Sequence, residues 1–146
     1  MTGRGVSTAL GYVLGLAVVT LLISGLFFAT GELVVDEQEQ AIQSELRVIG
    51  NQLAADVTSV DRLALSVDDA TVNLSRSLPN SVAGTSYQIF LRADSSPPAS
   101  IELRTTDPDV SVTVSVMNGT AIENSTVSGG EISISYDGQE VLLGRA

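Results

Sequence analysis

The chain changes its pattern twice. From Val6 to Gly31 it runs for 26 residues without a charge. That is longer than the roughly 20 residues a membrane-spanning helix needs. At about 1.5 Å per residue the run reaches ~39 Å, against ~30 Å of hydrocarbon, so it predicts a span that tilts or leaves its polar ends in the interface. It exceeds the apolar core of a secretory signal, about 7–15 residues, and "FFATGE" is a poor cleavage site for one. Gly11 and Gly15 form a G-x-x-x-G. Such a pair lets two helices approach closely, but glycine is common in membrane helices anyway, and both readings stay open.

After Gly31 the chain turns polar while a helical stripe persists. Apolar residues fall at Val35, Ile42, Leu46, Ile49, Leu53, Val57, Val60 and Leu63, and no proline occurs before Pro79. The spacing of three, four and seven is close to an a/d pattern, and the intervening Glu, Gln and Arg residues tolerate helix. One helix from about Val6 to about Leu65 is predicted. Its lower stripe, the last four positions, is expected to pack on the C-terminal part of the chain. The first few positions lie too near the membrane for a small head, and another subunit is expected to cover them.

From Ala70 onward the period falls to two. "TVNLS", "TSYQIFLR", "IELR", "VSVTVSV" and "EISISYDGQEVLL" alternate apolar and polar residues. They place Val72, Leu74, Tyr87, Ile89, Leu91, Ile101, Leu103, Val110, Val112, Val114, Val116, Ile132, Ile134 and Tyr136 on one face. Pro97-Pro98, Asp107-Pro108 and Gly129-Gly130 punctuate the runs, and Asp137-Gly138 is expected to form a two-residue type I′ hairpin turn. About six strands result, in an antiparallel sheet with one apolar face that needs a cover. The predicted class is therefore α+β: a long N-terminal helix, transmembrane and then an amphipathic stem, packed on a C-terminal antiparallel β head. The expected segments are a leader at 1–5, a transmembrane helix at 6–31, a stem at 32–69 and a head at 70–146.

Charge sets the orientation. Arg4 precedes the uncharged run, and Glu32, Asp36, Glu37 and Glu39 follow it. Positive residues stay inside, so the N-terminus is expected in the cytoplasm and the head outside the cell, with membrane lipid as a partner. The net charge of −10 argues against nucleic acid as a partner. All seven basic residues are arginine, and there is no His and no Cys. Without Lys, His or Cys, the usual catalytic bases, thiol nucleophiles and Schiff-base amines are missing, and neither an enzyme nor a bound cofactor is expected. An acidic surface free of lysine suits very salty water, where repulsion is screened within a few ångström.

Three N-x-[S/T] sequons lie after the span: "NLS" at Asn73, "NGT" at Asn118 and "NST" at Asn124. Asn73 falls on the polar face of its strand; Asn118 and Asn124 are expected in a loop. Exposed asparagines on the external side are candidate N-glycosylation acceptors. Asp68-Asp69 and the Asp107/Asp109 pair are carboxylate clusters without the ligand spacing of a calcium loop, and are read as solvated turn residues.

Arg4-Gly5, a long apolar helix, an amphipathic stem and a β head together resemble a type IV pilin-like protein. In detail the chain is similar to pilin-like membrane proteins of salt-loving archaea. "RGVSTALGYVLGLAVVTLLISGL" is similar to their N-terminal signature, and "NQLAADVTSVDRLA" and "LPNSVAGTSYQI" resemble, more loosely, the stem and first head strands. The three stretches cover about a third of the chain. The resemblance implies a class III signal peptide, cut by a membrane-embedded leader peptidase between Gly5 and Val6, with Arg4 holding the leader in the cytoplasm. It also implies other pilin-like subunits as partners through the N-terminal helix. Many pilins carry a glutamate at the fifth mature position; here that position is Leu10. Two functions follow as expectations: a pilin-like surface subunit, built into a filament or serving as a minor pseudopilin, or a static membrane-anchored extracellular binding module.

Overall fold

The computed structural model describes residues 3–66, 71–93 and 98–146, with the side chains of 3–6 and 29–35 outside that description. Asp68-Asp69 and Pro97 therefore lie outside the described residues, as does the side chain of Val35. The fold is α+β. A helix, α1 (Gly3–Ser66), precedes nine strands: β1 (Val72–Ser77), β2 (Ser81–Val82), β3 (Thr85–Arg92), β4 (Ala99–Thr105), β5 (Ser111–Val116), β6 (Ala121–Ile122), β7 (Ser125–Ser128), β8 (Glu131–Tyr136) and β9 (Glu140–Arg145). The chain divides into two compact units, Met1–Gln38 and Glu39–Ala146.

In the first unit the described side chains are exposed along the whole apolar segment, including Leu14, Leu21 and Phe28. Ser7–Phe28 is a 22-residue helical segment long and apolar enough to cross a membrane. Its Thr20 hydroxyl donates to the Leu16 carbonyl at 2.8 Å. That bond satisfies a polar group that hydrocarbon cannot.

In the second unit α1 residues Ile42, Leu46, Leu53 and Val57 have no exposed surface, and Ile49 and Val60 are nearly as buried. They share one core with Tyr87, Ile89, Leu91, Ile101, Leu103, Ile132 and Ile134 from the strands. Burying each such side chain contributes about 1.5–3 kcal/mol relative to exposure, so this stripe is the main attachment of the helix to the sheets. The expectation of a second subunit over the upper stripe is corrected for Ile42, Leu46 and Ile49. The chain's own head covers them: they belong to its core, and the β2–β3 turn reaches the helix at Glu45, whose carboxylate accepts from the Ala83 amide at 3.1 Å. The lower end is corrected too. Leu63 is 54% exposed while Ala64 is buried, so the stripe ends with the 57-60-61-64 spacing of a helix face rather than at 63.

The strands form two paired sets, β1-β8-β9-β6 and β2-β3-β4-β5, with β7 also on β3. The sets meet at β6 and β7, which are two residues apart. The Glu123 amide donates to the Val141 carbonyl of β9 (2.9 Å), and the Leu143 amide donates to Ser125 Oγ of β7 (3.0 Å). One stretch of chain thus pairs with β9 and then turns to β3, joining the sets into an arc from β1 to β5. The helix touches both ends of that arc. Arg76 of β1 meets Asp56, and a Cβ at Gly50 would stand 2.9 Å from Val114 of β5 and 2.9 Å from Leu103 of β4. Only a residue without a side chain allows that approach.

Nine strands rather than six reflect β2, β6 and β7, which are two to four residues long and show no run of alternation. The pairing is antiparallel except for β6 with β9. The type I′ geometry lies elsewhere than expected. Val82 pairs with Thr85 around Ala83 (φ 44°) and Gly84 (φ 82°), which gives positive φ at both central positions. In the β8–β9 hairpin the Asp137 amide donates to the Glu140 carbonyl, and Gly138 alone has positive φ. The turn is therefore centred on Gly138-Gln139, with its glycine where a type II′ turn needs one. Asp137 moves outside the pair because its Oδ1 accepts from the Gln139 and Glu140 amides (2.9 and 3.0 Å).

Tyr87 anchors the start of β3. It is 2% exposed, and its hydroxyl donates to the Pro79 carbonyl at 2.7 Å. Burial pushes its pKa up to about 12. Between pH 10 and 12 the unfolded phenol releases its proton while the folded one keeps it, so stability falls as pH rises through that window. Tyr87→Phe is expected to lower stability at neutral pH by about 1 kcal/mol, the worth of the lost bond, and to flatten the fall above pH 10. Urea titrations from pH 8 to 12 on both proteins would test this, and an equally steep alkaline fall in the variant would refute it.

Candidate functional site

The sequence-predicted residues do not converge on one site. Arg4, Gly5 and Val6 lie in the first turn of α1, as α1 starts at Gly3, and their side chains lie outside the described residues. Gly11 and Gly15 sit on the same apolar segment, and a Cβ at either would meet nothing within 4 Å. That leaves a flat strip of helix surface, on which small residues permit close packing.

The three sequons occupy three different environments. Asn73 is exposed on β1, the end strand of its sheet, facing away from the core between half-buried Val72 and Leu74. Asn118 lies between β5 and β6 and is tied at both ends: its Oδ1 accepts from the Ala99 amide (3.0 Å), and its Nδ2 donates to the Thr120 carbonyl (3.0 Å). Asn124 sits where the chain passes from β6 to β7. Its Oδ1 accepts from the Ala93 amide at 2.7 Å.

Beside Asn118 the structure brings together a group that pattern reading missed. Asp61, on the buried face of α1, is 4% exposed. Its carboxylate accepts from the Gly119 amide (3.1 and 2.9 Å), the Thr120 amide (2.8 Å) and the Thr120 hydroxyl (2.5 Å). Successive backbone N–H groups pointing into one concavity make a small anion nest, and here the anion is the chain's own side chain. Thr58 adds a longer contact to the Met117 carbonyl, 3.4 Å. The signal in the sequence was an aspartate at a stripe position, four residues after Val57 and three before Ala64. Gly119 belongs to the same fit: a Cβ there would come within 2.8 Å of Leu65. Thr58, Arg62, Leu65, Pro98 and Met117 line an open groove next to this clasp.

A second charged contact ties α1 to β1. Arg76 Nη2 donates to Asp56 Oδ1 at 3.2 Å, and Arg76 Nε lies 2.8 Å from Asp56 Oδ2, a charge contact off the hydrogen-bond angle. Arg76 continues the inward series Val72, Leu74, and Asp56 makes a charge tolerable there. The outward face of the β3–β5 sheet carries solvent-exposed pairs. Arg92 bonds Glu102 (2.9 Å) and stacks over Phe90 (5.4 Å). Arg104 grips Asp109 with two bonds, 3.0 and 3.1 Å, which lower the pKa of Asp109 and raise that of Arg104. Asp109 is thus committed to an arginine, not grouped with Asp107. Among the described residues no group of three or more acidic side chains is placed to hold a metal ion. Asp137 is held below the usual carboxylate range by the Glu140 and Gln139 amides, which marks it as a turn residue.

This geometry describes an apolar helical segment suited to a bilayer and a β head clasped to its own helix. No curated protein and no solved structure matches the chain. A family model described as "Family of unknown function (DUF7266)" matches residues 1–143, and the chain belongs to that family.

Proposed function

We propose that the chain is a type IV pilin-like surface subunit, inserted in the cell membrane before assembly, with its N-terminus cytoplasmic and its head outside. The observation that carries this reading is Arg4-Gly5 one residue before a 22-residue helical segment whose large apolar side chains are exposed. Such a surface is stable only in lipid or among like helices. The α+β arrangement, with a helix packed on antiparallel sheets, supports the same reading. Cleavage between Gly5 and Val6 would remove Arg4, the charge that holds the helix in the membrane. Mass spectrometry of the N-terminus in the mature protein tests this: Val6 is the expected first residue, and an intact Met1 or Thr2 end would remove the processing step.

A static membrane-anchored binding module is the second reading, and two observations favour it. Leu10 stands where many pilins have glutamate. The stripe Ile42–Val60 is used up inside the head, so that stripe offers no seam to a neighbour and assembly would rest mainly on the N-terminal helix. A C-terminal tag followed through cell-surface shearing separates the two. Release into the sheared fraction supports the filament subunit, and complete retention in the membrane supports the anchor.

A further inference from the structure

We propose that Asn73 on β1 is the N-glycan acceptor of this chain, and that Asn118 is a structural amide whose sequon stays unmodified. The assignment rests on the reading of the head as extracellular.

N-glycosylation joins the asparagine Nδ2 to C1 of a sugar. The N–C1 bond forms, the bond from C1 to a phosphate oxygen of a lipid-phosphate-activated oligosaccharide breaks, the phosphate carrier leaves with that electron pair, and the amide nitrogen gives up one proton. To do this the amide must rotate freely, and the folded head must tolerate the product. The three sequons differ in both respects. Asn118 is held at both ends by the bonds to Ala99 and Thr120, and the Thr120 hydroxyl that completes its sequon is bound to Asp61. Asn124 is held at one end by Ala93. Asn73 has no side-chain hydrogen bond among the described residues, and both Asn73 and Ser75 are exposed.

The surroundings of Asn73 give a second, independent argument. Cross-strand partners share a face of the sheet. Asn73 pairs with Ser135 and Ser75 with Ser133; across β8, Ser135 pairs with Leu142 and Ser133 with Gly144. The four ladder partners beside Asn73 and Ser75 carry no charge, and the half-buried Leu142 is the one side chain among them larger than serine; Glu131, paired with Ser77, and Glu140, two residues before Leu142, border them on the same face. A glycan leaving Asn73 therefore has small serines and Gly144 beside it and the half-buried Leu142 to cover. At Asn118 the way out passes the groove of Leu65, Pro98 and Met117 beside the clasp.

Glycopeptide mass spectrometry on the full chain, isolated from cells that naturally make it, tests the assignment. The Asn73 peptide is expected to be occupied at least tenfold more than the Asn118 peptide. Asn73→Gln is expected to lose that glycan mass, and Asn118→Gln to keep it. A bare Asn73, with or without occupancy elsewhere, or equal occupancy at Asn118, overturns the proposal. The wild-type occupancies decide this even if Asn118→Gln fails to fold. Because the chain has no cysteine, Gln139→Cys supplies a unique thiol in an exposed turn for a membrane-impermeant maleimide on intact cells. Labelling with a bare Asn73 sinks the glycan and leaves the extracellular head standing; a bare Asn73 without labelling sinks both.

Discussion

Asp61→Ala is expected to destabilise the head by about 2–4 kcal/mol. The estimate comes from the four contacts its carboxylate accepts from two adjacent amides and one hydroxyl. A hydrogen bond to a charged group contributes about 1.5–3 kcal/mol, and a buried donor left without a partner costs about 1–3. These terms do not add fully, because Gly119 is exposed and water can reach its amide once the carboxylate is gone. Asp61→Asn keeps the shape but offers one carbonyl oxygen in place of two, so it is expected to fall between wild type and alanine. Urea unfolding of the full chain in detergent micelles, followed by the tyrosine signal, measures both. A loss under about 1 kcal/mol for the alanine variant would show that the β5–β6 loop does not need the carboxylate.

Leu46→Ala is expected to cost about 2–5 kcal/mol, the usual penalty for emptying a fully buried leucine site. Leu46 has no exposed surface and belongs to the single core of the head. The matching substitution at Leu63, which is 54% exposed on the same helix, is expected to stay within about 0.5 kcal/mol. The loss at Leu46 is also expected to be independent of protein concentration. If a neighbouring subunit covered this stretch of helix, stability would instead rise with concentration by mass action. A concentration-dependent midpoint for the wild type, abolished in Leu46→Ala, would overturn the assignment of this side chain to its own head.

Both predictions concern one attachment, and they differ in what the sequence disclosed. Leu46 was visible because hydrophobic period is a local property: residues three and four apart on a helix share a face whatever lies opposite. Asp61 lay on that same face but is polar, so a search for apolar spacing passed over it. Its partners Gly119 and Thr120 are some 58 residues away, and nothing local announces a pairing at that distance. The turns divide in the same way. "DG" predicted a hairpin at the right place, but the Asp137 side chain took the two following amides and moved the turn one residue along. "AG" carried no strong signal and became the type I′ turn, with Ala83 at positive φ; its amide is held by Glu45 of the helix at 3.1 Å.

The sequons show the limit most plainly. As motifs the three are equivalent, since each satisfies the same three-residue rule. Their partners separate them: two bonds to distant backbone at Asn118, one at Asn124, none at Asn73 among the described residues.

What the sequence determined by itself was the α+β class, the apolar segment between Val6 and Gly31, the helical stripe after it and the inward faces of β1, β3, β4, β5 and β8. These follow from charge and periodicity within a few residues, where the burial of one side chain does not depend on the path of the rest of the chain. Only the tertiary structure decided how far along the helix the head reaches, which strands meet at β6 and β7, and what Asp61 holds. Those depend on contacts between residues far apart in sequence, whose loop-closure cost is offset only when the whole core forms at once.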